Sequence, residues 1–90
     1  MRIRYAPRAI KNLNQIREYI SKDNPEAAWV VASFVRRAIN TLKLWPYQGR
    51  ATERENVRRL VVTNYPYVVY YTVRKESVIV LNVLHTSRNH

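Results

Sequence analysis

The opening stretch, RIRY from Arg2 to Tyr5, alternates polar and apolar positions and predicts a short strand. The period then changes. Ala6, Ala9, Ile10, Leu13, Ile16, Tyr19 and Ile20 recur at steps of one, three or four, which gathers them on one helical face. Pro7 suits the first turn of that helix. At DNPEAA the pattern restarts: Asn24 can cap, Pro25 fits the first helical position, and Glu26 favours the positive end of the dipole. The second helix is expected to run on to Pro46, with Ala28, Val31, Phe34 or Val35, Ala38, Ile39 and Leu42 as its apolar face. Two helices joined by so short a link predict an antiparallel hairpin. PYQGRATERENVRR reads as a loop. Three strands follow: VRRLVVT, ending near Asn64; YPYVVYYTV, from Tyr65; and, after the turn RKES, VIVLNVLH. The last run is apolar on both faces, which predicts an interior position in the sheet. The expected fold is α+β: an N-terminal strand, a two-helix antiparallel hairpin, then a three-stranded antiparallel sheet, with the helices on one face.

Composition narrows the class. At 90 residues and 47% hydrophobic content the chain is globular, and a chain of this size buries about 60–65% of its unfolded surface. There is no cysteine, which excludes a disulfide scaffold and a thiolate metal site. One glycine predicts few left-handed turns. The start MRIRYAPRAIKNL lacks the apolar core of a signal peptide, and AAWVVASFV is too short to span a bilayer. A cytoplasmic protein with no membrane partner is therefore expected. The net charge of +10 changes the picture more. Twelve of the sixteen basic residues are arginine, whose planar fork suits phosphate and carboxylate. RNA, DNA or an acidic protein segment are the partners this implies, against the plainer reading of a basic, well-solvated surface.

Candidate chemistry is sparse. His85 and His90 are the only histidines and no carboxylate pair lies near them at ligand spacing, so neither metal nor cofactor is expected. A single glycine excludes a phosphate-cradling glycine-rich loop, and all six acids read as surface residues. What remains is Arg58, Arg59, His85 and Arg88 with Tyr65, Tyr67, Tyr70 and Tyr71. Arg58 and Arg59 are adjacent in a strand, so they point to opposite faces and only one can lie on the sheet's open face beside the last strand. Such a surface could grip phosphates and stack bases. With His85 moving a proton and arginine stabilising the phosphorane it could cleave RNA. Equally, His85 could bond a loop carbonyl, Arg88 could pair with the terminal carboxylate, and the tyrosines could be core.

The junction NPEAA, the sequence Pro46 then Gly49–Arg50 after the second helix, and the ending VLHTSR with His85 and Arg88 together resemble the RelE/ParE toxin superfamily across nearly the whole chain, and the ParE branch most. The resemblance implies one toxin domain over residues 1–90, part of a type II toxin–antitoxin pair. RelE-like members cut messenger RNA on the ribosome; ParE-like members poison DNA gyrase without nuclease activity. Nucleases of the superfamily carry basic residues on the second and third strands and a tyrosine beyond the final arginine. Here Arg59 and Arg88 match basic positions, Val61 and Val68 stand where two others would be basic, and the sequence reaches His90 with no such tyrosine. The expectation is therefore a non-catalytic gyrase poison neutralised by a ParD-like antitoxin with an acidic segment. The alternatives are a ribosome-dependent endonuclease using Arg59, His85 and Arg88, and an inactive remnant that only pairs with its antitoxin. The surface expected to meet antitoxin or target comprises Arg36, Arg37, Arg50, Arg58, Arg59, Tyr65, Tyr67, His85 and Arg88.

Overall fold

The computed structural model describes residues 1–87. Strand β1 (Arg2–Tyr5) leads into α1 (Pro7–Ser21) and α2 (Pro25–Asn40), then a 3₁₀ turn (Thr41–Lys43), β2 (Arg50–Ala51), β3 (Arg58–Val61), β4 (Tyr67–Val73) and β5 (Ser77–His85). The five strands form one sheet in the order β1-β5-β4-β3-β2. β1 runs parallel to β5 and the other pairs are antiparallel. The expected α+β arrangement is observed, with β5 inside the sheet between β1 and β4.

Local signals set the helix starts. Pro7 and Pro25 occupy first-turn positions, and the Asn24 side chain accepts the Ala27 N–H at 3.1 Å. Both packed faces are narrower than the apolar pattern suggests. Ala9, Leu13, Ile16 and Ile20 of α1 meet the core, whereas Ile10 and Tyr19 are half exposed. On α2 the buried residues are Ala28, Val31, Val35 and Ile39. Phe34 sits at the edge against Tyr65, ring centroids 5.0 Å apart.

The structure departs from expectation at two places. α2 stops at Asn40 instead of reaching Pro46. The Thr41 hydroxyl donates to the Ala38 carbonyl (2.6 Å) and receives the Gln48 amide (2.7 Å), while the N–H groups of Leu44 and Trp45 both turn back to the Thr41 carbonyl. A 3₁₀ turn of this kind is common at a helix C-terminus, and it still delivers Leu42 to the core. Inside the predicted loop, Arg50–Ala51 pairs with Arg58–Arg59 as β2. A two-residue strand is too short to leave a periodic trace.

The core lies between the hairpin and one sheet face. Tyr67, Val69 and Tyr71 of β4 alternate toward the helices, joined by Val78, Val80 and Val83 of β5. Val80 and Val83 could not both face inward in a regular strand. The register resolves this: Tyr71 pairs with Val80 and Tyr70 with Asn82, leaving Leu81 as an extra, bulged residue. Past Val80, β5 no longer has β1 beside it. The Asn12 side chain from α1 there accepts the Val83 N–H at 3.0 Å.

Candidate functional site: the two faces of the sheet

Cross-strand partners share a face, so the register places each candidate side chain. One row crosses the open face: Arg50 opposite Arg59, Arg59 opposite Tyr70, Tyr70 opposite Asn82. Beside it lies a broad concavity of about 770 Å³ whose lining includes Arg54, Arg59, Tyr70, Asn82, Leu84 and Glu53. Like charges directly opposite in a ladder repel. Among the described residues neither Arg50 nor Arg59 has an ion pair or side-chain hydrogen bond to offset this. The arrangement therefore suits an anionic ligand. Arg54 and Asn82 were not among the sequence candidates. Asn82 did leave a signal, as the one polar residue inside VIVLNVL; Arg54 was hidden in a loop of mixed charge.

Arg58 is turned the other way and is built into the fold. Its guanidinium donates to the carbonyls of Gly49 (2.7 Å) and Tyr47 (3.3 Å) and lies 5.1 Å from the Tyr47 ring centroid. Beneath it the Gly49 N–H donates to the buried Tyr71 hydroxyl at 2.9 Å. A Cβ on Gly49 would stand 2.7 Å from that hydroxyl and 2.8 Å from the Arg59 carbonyl. The chain's one glycine therefore serves close approach. Among the described residues the positive-φ positions are filled by Asn56 and Asn64, the residue type that tolerates them best after glycine. Burial pushes the Tyr71 phenol above its usual range, opposed by the Gly49 N–H and by Arg58. Burial likewise raises Tyr5, opposed by nearby Arg36.

His85 pairs with Tyr67, whose ring it meets edge-on at 5.3 Å. Tyr67 is a core residue on the helix-covered side. The His85 Nδ1 accepts the Ser87 N–H at 3.1 Å, with the Ser87 hydroxyl 3.2 Å away. That bond places the proton of the neutral ring on Nε2. Arg59 and His85 therefore lie on opposite faces, and their partners on β4 are three residues apart, on the order of 10 Å along the strand. The structure does not bring these two together, and Arg88 lies outside the described residues. No cluster of three or more histidine or acidic side chains that could hold a metal occurs among the described residues.

The remaining candidates line the flank of α2. Arg37 stands over the Phe34 ring at 5.5 Å, and Phe34 packs on Tyr65. This group borders a groove of about 240 Å³ between α2 and β3, lined in part by Leu60, Val61 and Thr41. Val61 is 54% exposed, an apolar side chain open to a partner. Arg36 lies on the neighbouring side of α2, above a small hollow between the helices.

The profile of the ParE toxin of type II toxin–antitoxin system, parDE, matches residues 3–90. Y4kP, a toxin candidate of Sinorhizobium fredii, is 36% identical over 84 residues, covering 93% of this chain and 86% of that protein. Toxin RelE2 of Caulobacter vibrioides is 35% identical over 81 residues, 90% of each. A chain from the solved chromosomal ParDE TA system of P. aeruginosa superposes with a TM-score of 0.85 over 97% of both chains at 20% identity, which shows a common fold.

Proposed function

The chain belongs to the ParE toxin family of type II toxin–antitoxin systems, and from that premise we propose that it blocks growth by binding and poisoning DNA gyrase, without catalysis, until a cognate antitoxin neutralises it. The observation that carries this reading is the register that separates Arg59 from His85. Cleavage of an RNA phosphodiester needs a proton-transfer group and a charge stabiliser within hydrogen-bond reach of one phosphate. Side chains on opposite faces of a sheet do not meet that condition. An arginine row with no ion pair among the described residues, next to a partly apolar groove, instead suits a binding surface.

The antitoxin in this reading is ParD-like and carries an acidic segment that orders on contact. It lies along the groove between α2 and β3, past Arg37 and Tyr65, and reaches Arg59 and Arg50 on the open face. The setting is the cytoplasm; no helix among the described residues is long and apolar enough to cross a membrane. The test pairs two assays on the purified toxin: supercoiling by reconstituted gyrase, and messenger RNA integrity in a translating extract. Inhibition with intact RNA is expected. Codon-specific cleavage lost in Arg59→Ala or His85→Ala would establish the endonuclease instead, and folded protein inert in both assays would point to a remnant.

A further inference from the structure

The segment between α2 and β2 exposes Leu44, Trp45 and Tyr47 at 73%, 62% and 63%. Exposed loops are usually polar and mobile; this one is apolar and braced throughout. The Leu44 and Trp45 N–H groups bond the Thr41 carbonyl, and the Gln48 N–H bonds the Trp45 carbonyl. The Gln48 side chain is tied to Thr41. Arg58 holds the Tyr47 and Gly49 carbonyls from one side, and Tyr71 holds the Gly49 N–H from below. The backbone that carries these side chains is thus held in place, and the Tyr47 ring is held under Arg58, so little backbone ordering entropy is left to lose on contact, which favours an interface anchor.

The surroundings define the partner's chemistry. The Met1 amine bonds the Lys43 carbonyl, and the Arg2 N–H bonds the Glu76 carbonyl. These contacts bring Arg2, Lys43 and the β4–β5 turn, with Arg74 and Lys75, to the same end of the molecule. Four basic side chains and the Met1 ammonium stand there against one acidic side chain, Glu76, with no ion pair among the described residues. A second copy of the chain would bring the same cations into repulsion. A disordered acidic segment would neutralise the charge but offers no preformed pocket for a projecting indole.

We propose that the Leu44–Trp45–Tyr47 tip is an anchor that inserts into an acid-rimmed apolar pocket on a folded protein, and, resting on the functional reading above, that this protein is gyrase. Leu44→Ala and Trp45→Ala are compared with wild type in gyrase supercoiling, with Trp29→Ala as a control because Trp29 is 77% exposed but lies at the other end of α2. The expected result is a rise of about tenfold or more in the half-inhibitory concentration for the tip variants, the effect of losing one interface anchor, with Trp29→Ala and all melting midpoints unchanged. Charge reversal in Lys43→Glu with Lys75→Glu slows association at low salt. Tip variants as potent as wild type overturn the proposal while leaving the gyrase reading intact. An equal loss in Trp29→Ala, or association quickened by charge reversal, overturns it as well. Trp45-dependent binding to vesicles of anionic phospholipid, without a gyrase effect, makes the occupant a membrane. Wild type that fails to inhibit gyrase removes both the reading and the proposal.

Discussion

Arg58 and Arg59 share one peptide bond and serve opposite faces of the sheet. On the helix-covered face Arg58 closes two carbonyls and stacks on Tyr47, so its charge is spent inside the fold. On the open face Arg59 stands opposite Arg50 and makes no ion pair among the described residues, although Glu53 lines the same concavity. The covered face satisfies its polar groups internally; the open face keeps charge that only a partner can offset. Stability and binding are therefore separated by strand alternation alone, and substitutions on the two faces should differ in kind.

The largest effect is expected at Gly49. Gly49→Ala forces a Cβ against the Tyr71 hydroxyl and the Arg59 carbonyl, a backbone atom that cannot swing aside. Overpacking of this sort costs about 1–3 kcal/mol, and loss of the Gly49–Tyr71 bond adds about 1 kcal/mol. A thermal melt should fall by roughly 10 °C or more, at about 4–8 °C per kcal/mol for a chain of this size. An unchanged melt would mean the lock is slack.

Arg58→Ala should come next, at about 1.5–3 kcal/mol, the range for a hydrogen bond to a charged group. Chemical denaturation would measure it, and parity with Arg59→Ala would erase the contrast between the faces. Tyr71→Phe keeps the ring and removes the hydroxyl, so about 1 kcal/mol is expected at neutral pH. It also sharpens the pH behaviour. A buried phenol raised above the ordinary value of about 10 binds its proton more tightly folded than unfolded. Its contribution is complete below that ordinary value and is lost as pH climbs through the raised one. Wild type should therefore lose stability above about pH 10, and Tyr71→Phe should lose less of it over the same range, as read from denaturation midpoints along a pH series.

The smallest effect, with the opposite sign, belongs to Arg59. Removing one of two like charges in direct register should stabilise the free protein by a few tenths of a kcal/mol, within about 0.2–1 kcal/mol. The same substitution should weaken antitoxin binding, and more so at low salt, where exposed charges act most strongly. Arg59→Ala that destabilises the fold as Arg58→Ala does would show that the open face also holds the structure together.

Much of the protein follows from the sequence alone. The helix starts come from Pro7, Asn24 and Pro25, four of the five strands from one alternating stretch and three runs rich in Tyr, Val and Ile, and the basic surface from a charge of +10. These are local or additive properties, and local chemistry decides them. The candidate site is different. By plain alternation from Val78 and Val80, His85 would have joined Arg59 on the open face. The bulge at Leu81 shifts the parity of everything after it, turning Val83 into the core and His85 toward Tyr67. The Gly49–Tyr71 lock spans 22 residues and joins a loop to a central strand; no spacing along the chain reveals it. β2 exists only because β3 offers an edge to pair with. Each depends on which strand lies beside which and in what register, and register is set when the two apolar sides close on one another.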